Sequence, residues 1–243
     1  MKNWRELTKD EQIAALQNVA GTKHIPPQAV EKDLWVTTIL QVVFSLPFAD
    51  SLVFKGGTSL SKVFGKIERF SEDIDLAIAR TYFGLEGDLT KKQLKKLGKQ
   101  SSIFVRDTFL GELQEAFRQH GLTELSATAE PDGEGDATYP EPRKIFIEYP
   151  SLFRESLDYI KPRVMLETGA QSLIEPTTSV QVKSLVETSS PLLPPASPWP
   201  FFSASYLLIV RSGLLCMWSQ EFITIQMNHV LRHLSNPYLR FPS

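Results

Sequence analysis

The sequence predicts an α/β fold, and the order of three segments in its first third carries that prediction. A short apolar strand over residues 52–54 leads into a Gly-Gly pair, a helix begins near residue 60, and a second strand covers residues 74–78. Alternation of strand and helix favours α/β over an all-helical fold. The chain has 243 residues, of which 42% are hydrophobic, so it can bury a sizeable core as one large domain or as one domain with an appendage.

Two helices are predicted before the first strand. Residues 8–20 have an amphipathic pattern, with Thr8 as the N-cap and Glu11 three positions later, where a capping box places it. Pro26 and Pro27 open a second helix, which is predicted to continue to Leu46.

The remainder of the chain divides into a patterned part and a proline-rich part. A long helical stretch is predicted over 90–121, a loop rich in glycine, proline and acidic residues over 130–142, and strands over 144–149 and 164–167. After residue 186 the prolines are crowded and charged residues are scarce, and one helix is predicted, over 214–234. We therefore expect one domain over 1–188 and a proline-rich, diverged or frameshifted region over 189–243.

The composition excludes several classes of protein. The formal net charge of −2 gives no overall nucleic-acid signature, so any such binding must come from a local patch. The single cysteine, Cys216, excludes an internal disulfide framework and a cysteine-based zinc site. The start lacks the apolar run of a signal peptide, and no apolar stretch is long enough to span a membrane. We expect a cytoplasmic protein with no membrane partner.

An Asp-x-Asp pair, Asp73 and Asp75, is the most informative chemical feature. On a strand the two side chains point to the same face, because side chains alternate. Two carboxylates that close repel each other unless a cation lies between them, and Mg²⁺ (or Mn²⁺) takes oxygen ligands while leaving positions free for substrate phosphates. A pair of this kind taken alone is more often a solvated strand end.

The segment Gly56-Gly57-Thr58-Ser59 lies a short distance upstream of the aspartates. A small turn of this kind offers backbone N–H groups to phosphates, although Gly-Gly-Thr alone is usually just a turn. The order and close spacing of the two motifs predict metal-assisted transfer of a nucleotidyl or phosphoryl group. Lys55, Lys62 and Arg69 lie near the turn, where they could neutralise triphosphate charge.

Two further sets of residues are candidates for the same chemistry. Metal-assisted transfer of this kind uses another carboxylate on a neighbouring strand, and Glu167, at the end of an apolar strand, is the best candidate; a surface residue is the alternative. Lysines at helical spacing could bind the phosphate backbone of RNA, with a solvated helix face as the alternative. These lysines are Lys91, Lys92, Lys95, Lys96 and Lys99.

Several of these segments together resemble the AbiEii/AbiGii-type nucleotidyltransferase toxins of bacterial abortive-infection and toxin–antitoxin systems. The resemblance covers roughly residues 10–188. The segments that carry it are Val30-Glu31-Lys32-Asp33-Leu34-Trp35-Val36, Phe54-Lys55-Gly56-Gly57-Thr58-Ser59-Leu60-Ser61-Lys62, Arg69-Phe70-Ser71-Glu72-Asp73-Ile74-Asp75-Leu76, Ile147-Glu148-Tyr149-Pro150-Ser151 and Tyr159-Ile160-Lys161-Pro162-Arg163 with Glu167.

The resemblance implies a DNA polymerase β-like nucleotidyltransferase fold, which is a mixed sheet flanked by helices. It implies transfer of a nucleotide from an NTP to an acceptor with Mg²⁺, an RNA acceptor such as tRNA, and a separate cognate antitoxin encoded nearby. Carried over by motif, Gly57, Thr58 and Ser59 match the phosphate-binding turn, and Asp73 and Asp75 match the metal-binding pair. Glu167 takes the place of the third acid.

The C-terminal region departs from the family. The expected Thr-Phe-x-Glu-Lys-like helix and the later Tyr-Asp-Leu-like motif are not legible after residue 188. This departure leaves a second hypothesis open, that of a catalytically impaired remnant that binds nucleotide or RNA without turnover. A third, a kinase-like phosphotransferase, is less favoured because the Walker-type, His-Arg-Asp and Asp-Phe-Gly motifs are missing from the sequence.

Overall fold

A seven-stranded mixed sheet forms the centre of the protein. In the computed structural model, the residues described are 4–64, 73–131, 144–153, 160–170, 178–180, 182–189 and 206–208. The strands are β1 (Leu52–Lys55), β2 (Asp73–Ile78), β3 (Ser126–Ala129), β4 (Lys144–Glu148), β5 (Arg163–Gly169), β6 (Thr178–Val180) and β7 (Tyr206–Leu208), in the spatial order β3-β4-β5-β2-β1-β7-β6. The pairs β2–β5 and β1–β7 are parallel, and the other neighbours are antiparallel.

Alternation along β4 and β5, and at the start of β2, gives the sheet two different faces. On β5 every second residue is buried, starting with Val164, and the residues between are half-buried. The apolar face joins one continuous core, because its residues pack against helices that cover that side. The residues of this face are Leu52, Phe54, Ile74, Leu76, Ile145, Ile147, Val164 and Leu166.

In the part of the chain that is described, six α-helices accompany the sheet. They are α1 (Lys9–Lys23), α2 (Pro27–Val43), α3 (Gly56–Phe64), α4 (Lys91–Phe104), α5 (Leu110–Gln119) and α6 (Leu185–Ser189). A single π-helical turn, Val105–Phe109, joins α4 to α5 without a loop. Helices α2, α4 and α5 supply the core residues under the apolar face, among them Ile39, Leu97 and Phe117. A second, smaller core forms where Leu16 and Val19 of α1 pack with Val30 and Val186.

The predicted α/β class and most of the predicted elements are confirmed. Helix α1 carries the expected capping box, in which the Thr8 hydroxyl accepts from the Glu11 N–H and the Glu11 carboxylate accepts from the Thr8 N–H. Helix α2 starts as predicted but ends at Val43, before the predicted end at Leu46. The four predicted strands are β1, β2, β4 and β5.

Two helix boundaries were wrong, the end of α2 and the start of α3, and strands β3, β6 and β7 were missed. Helix α3 begins at Gly56 and not near Leu60, so the predicted turn forms the first turn of the helix. The Ser59 hydroxyl donates to the Gly56 carbonyl at 2.8 Å, which holds that turn together. Strands β6 and β7 have three residues each. This is too short for the alternation of apolar and polar residues that marks a strand to be recognised in the sequence.

Other expectations are not tested. The predicted loop over 130–142, apart from its first two residues, and the predicted helix over 214–234 lie outside the described residues. Every described residue belongs to the unit Met1–Val210, and the predicted division after residue 188 stays a prediction. In the part of the chain that is described, no helix is both long and apolar enough to cross a membrane.

Candidate active site

The three predicted carboxylates lie on one face of the sheet, opposite the helical layer. Asp73 and Asp75 alternate along β2 with Ile74 and Leu76, which are fully buried on the other side. Strand β5 runs parallel to β2 and places Glu167 directly beside Asp75. The pairing of two strands that are distant in the sequence therefore assembles Asp73, Asp75 and Glu167 into one group.

Two lysines flank the carboxylates in the same row. In the antiparallel pair β1–β2, Lys55 lies opposite Asp75, and in the pair β4–β5, Lys144 lies opposite Glu167. The row Lys55–Asp75–Glu167–Lys144 thus crosses four strands with its two negative charges in the middle. Sequence analysis noted Lys55 but missed Lys144, whose position depends on a register that only the folded sheet shows.

Asp75 has the most perturbed carboxyl group of the row. Burial is the main cause that raises its pKa, from 3.8 to about 6. Repulsion from Glu167 raises the pKa further, attraction to Lys55 opposes the rise, and Asp73 adds a smaller repulsion. The carboxylates of this half-buried site therefore carry more negative charge than Lys55 neutralises. This excess of negative charge favours the binding of a cation.

Gly56 makes the close approach between α3 and β2 possible. Its φ of 77° lies in the left-handed region, which glycine adopts without strain. A Cβ atom built on Gly56 would lie 2.6 Å from Cγ and 2.8 Å from Cβ of Asp75. Any other residue at this position would push the Asp75 side chain away, so the glycine is needed for the carboxylate to stay where it is.

The start of α3 lies next to the carboxylates. The first N–H groups of a helix have no partner within the helix and can bind anions. Gly56 is exposed and Gly57 is half-buried, so this end of α3 reaches the surface. The hydroxyls of the next two residues are buried and face inward, with Thr58 donating to the Asp73 carbonyl and Ser59 to that of Gly56. They fix α3 against β2.

Lys62, predicted to bind nucleotide, has other partners in the folded chain. Its Nζ atom donates to Asp33 Oδ1 at 2.5 Å and to Thr37 Oγ1 at 2.8 Å. Its side chain is 7% exposed. The predicted direct contact between Lys62 and nucleotide stays a prediction, as does the role of Arg69, which lies outside the described residues.

The lysine-rich face of α4 is exposed but does not adjoin the carboxylates. Lys91, Lys92, Lys95, Lys96 and Lys99 are all exposed. Helix α4 packs through Leu97 and Phe104 into the core that also contains Ile74 and Leu76. It therefore lies on the side of the sheet opposite Asp73 and Asp75, and the predicted RNA contact stays a prediction.

The donor chemistry of the carboxylate group suits a hard divalent cation. Asp73, Asp75 and Glu167 offer only oxygen ligands, which Mg²⁺ and Mn²⁺ prefer. As the side chains are placed, no three or more His, Cys, Asp or Glu residues among those described are close enough to hold a metal ion together.

A comparison with models of known protein families identifies the family of this chain. A family model described as "Nucleotidyl transferase AbiEii toxin, Type IV TA system" matches residues 39–205. The matched region contains the start of α3, all three carboxylates and both flanking lysines. No curated protein matches the chain.

Proposed function

Because the chain belongs to the AbiEii family of nucleotidyl transferase toxins of type IV toxin–antitoxin systems, we propose that it transfers a nucleotide from an NTP to an RNA acceptor, with tRNA as the acceptor. The row Lys55–Asp75–Glu167–Lys144 is the observation that supports this proposal most directly. The row supplies carboxylates suited to Mg²⁺ or Mn²⁺, and the N-terminus of α3 beside it is suited to phosphates.

In this proposal each group of the site has one task. The N–H groups at Gly57, Thr58 and Ser59 bind the triphosphate, next to Asp73 and Asp75, which form the cation site. When bound, a divalent cation supplies charge neutralisation at the phosphates and activates the attacking hydroxyl.

The flanking residues act on the two ends of the reaction. Lys55, opposite Asp75 in the row, stabilises charge that develops on the leaving pyrophosphate. Glu167, on the other side of Asp75, orients the acceptor hydroxyl by accepting its hydrogen bond.

The position of the α4 lysines favours a large acceptor. If the five exposed lysines bind phosphates, the acceptor must reach around an edge of the sheet to present its end to Asp75, because α4 packs under the opposite face. A folded RNA such as tRNA is large enough to do this, whereas a mononucleotide is not. Phosphate contacts of this kind make affinity fall with rising salt concentration.

Membership of a type IV toxin–antitoxin family implies an antitoxin partner. We propose that a neighbouring gene encodes it. The second candidate function is binding of nucleotide or RNA without turnover. One observation favours it, namely that the family's C-terminal motifs cannot be recognised in the sequence after residue 188.

Transfer of label separates the two functions. The purified protein is incubated with each α-³²P-labelled NTP, Mg²⁺ and total tRNA, beside an Asp75→Asn variant, which has the same shape without the charge. We expect label on tRNA with the parent protein and none with the variant. Binding of Mg²⁺–NTP without transfer to any RNA would instead establish the non-catalytic function, and transfer by the variant would refute the assignment of Asp75.

A second experiment tests the acceptor surface. Replacement of all five α4 lysines by glutamine should raise the KM for tRNA and reduce its salt dependence, while the KM for the NTP stays the same. An unchanged KM for tRNA would remove α4 from the acceptor site.

A further inference from the structure

A run of three charged residues lies inside the protein, at a place that the proposed chemistry does not use. Glu31, Lys32 and Asp33 follow each other on α2 and are 2%, 3% and 7% exposed. Charged side chains are rarely buried unless they are paired, because removing them from water is costly. The contacts of Glu31 and Asp33 show that each connects α2 to a different part of the chain.

Asp33 connects α2 to two other helices. Its Oδ1 atom accepts from Lys62 Nζ of α3 at 2.5 Å. Its Oδ2 atom accepts from the backbone N–H of Leu185, the first residue of α6, at 2.7 Å. Both oxygens of one buried carboxylate therefore have a donor, and each donor comes from a separate element.

The ammonium group of Lys62 has several hydrogen-bond acceptors inside the protein. A lysine ammonium has three donors. Besides Asp33 Oδ1, the acceptors are Thr37 Oγ1 at 2.8 Å and the Asp33 carbonyl at 3.5 Å. The Thr37 hydroxyl in turn donates a hydrogen bond to the Asp33 carbonyl at 2.8 Å. The two close acceptors, Asp33 Oδ1 and Thr37 Oγ1, therefore direct the ammonium group of Lys62 into the protein in this conformation.

The pair fixes the helix whose first turn is proposed to bind the triphosphate. Lys62 lies on α3 (Gly56–Phe64), about 9 Å along the helix from Gly56 at about 1.5 Å per residue. Because a helix of this length moves as a rigid body, a restraint at Lys62 sets the direction in which the N–H groups at its start point.

We infer that Asp33 is a positioning residue, which holds Lys62 and thereby aims the phosphate-binding end of α3 at the carboxylate row. The identity of the ligand in this inference rests on the proposed function. The contact between Asp33 and Lys62 is seen in the structure and does not depend on that function. Lys62 then acts through α3 and not by direct contact with the nucleotide.

The neighbouring Glu31 provides a matched control. It is buried on the same helix, and its carboxylate accepts from the Ser151 hydroxyl at 2.7 Å and from the Leu152 N–H at 2.6 Å. Neither partner belongs to α3. A Glu31→Gln substitution therefore changes a buried carboxylate of α2 without touching the restraint on α3.

Three variants and two readouts test the inference. The variants are Asp33→Asn, Lys62→Met and the two together, with Glu31→Gln as the control. The readouts are hydrogen exchange of peptides covering α3, and binding of Mg²⁺–NTP measured by calorimetry without an acceptor. Asn keeps an acceptor for the Leu185 N–H, so Asp33→Asn removes chiefly the charge that pairs with Lys62.

We expect each single variant to speed exchange in α3 and to weaken Mg²⁺–NTP binding about tenfold or more, because each leaves one buried charge unpaired. The double variant lacks the same contact, so it should also lose binding and exchange faster in α3, but its loss should not exceed that of either single variant because no buried charge is left unpaired. Glu31→Gln should leave both readouts at α3 unchanged. If Asp33→Asn does not fold, Thr37→Val takes its place, because it removes another acceptor of Lys62 and keeps the lysine itself.

Two results would overturn the inference. One is unchanged exchange in α3 and unchanged binding in Asp33→Asn. The other is equal loss of binding in Lys62→Met and in the double variant with no loss in Asp33→Asn, which would make Lys62 a direct ligand of the nucleotide. Failure of the parent protein to bind any Mg²⁺–NTP would refute the proposed function, and the exchange data alone would then decide the role of Asp33.

Discussion

Replacing Asp75 by asparagine should make the metal-free protein more stable at neutral pH. Burial and the neighbouring Glu167 raise the pKa of Asp75 from 3.8 to about 6, so the ionised carboxylate destabilises the folded state. At about 1.4 kcal/mol per pKa unit, the change corresponds to about 3 kcal/mol. Screening by solvent at this half-buried position reduces the expected gain in the free energy of unfolding to about 1–2 kcal/mol.

The pH dependence follows from the direction of the change. Between pH 3.8 and about 6 the folded state holds the Asp75 proton more tightly than the unfolded chain does. The contribution of Asp75 to stability therefore falls as pH rises through this range and stays unfavourable above it. Asparagine does not titrate, so the stability difference between variant and parent should be smallest near pH 4 and largest above pH 6.

Urea denaturation in EDTA between pH 4 and pH 8 measures this difference. Adding Mg²⁺ at pH 8 should stabilise the parent protein and leave the variant unchanged, because a cation binds the ionised carboxylate and not the amide. A variant that is less stable than the parent at pH 8 in EDTA would refute the argument, since it would mean that the Asp75 charge is already neutralised inside the protein.

Four further outcomes are expected from single substitutions. Gly56→Ala should lower the free energy of unfolding by about 2 kcal/mol or more and weaken cation binding, because the new Cβ clashes with Asp75 and φ is 77°. Gly21→Ala is the control: nothing lies within 4 Å of its added Cβ, so it should stabilise α1 by about 0.5–1 kcal/mol. Glu167→Gln should lower the pKa of Asp75, measured by NMR titration, because one source of repulsion is gone; an unchanged pKa would contradict the pairing. Thr8→Ala should lower the melting temperature by removing the cap of α1, a loss of about 1 kcal/mol.

Features that depend on neighbours in the sequence were predicted well. The capping box of α1 needs only Thr8 and a glutamate three residues later, and the alternation along β2 and β5 is visible in the residues themselves. The placement of Asp73 and Asp75 on one face follows from the same alternation. Local chemistry determines these features, so the sequence shows them.

Features that depend on contacts between distant segments were not predicted. Lys144 joins the carboxylate row only through the register of β4 on β5, and the partners of Asp33 come from α3 and α6. The start of α3 at Gly56 depends on its close approach to β2. In each case the residue types are ordinary, and only tertiary contacts give them their role.

The parallel pairing of β2 with β5 also bears on how the protein is made. Asp75 is synthesised long before Glu167, and no local contact can bring the two together. A chain still emerging from the ribosome therefore has an incomplete carboxylate row, and β2 has an unpaired edge until β5 arrives. Such late, long-range pairing slows folding. The carboxylate row is therefore completed only after the first 167 residues have been synthesised.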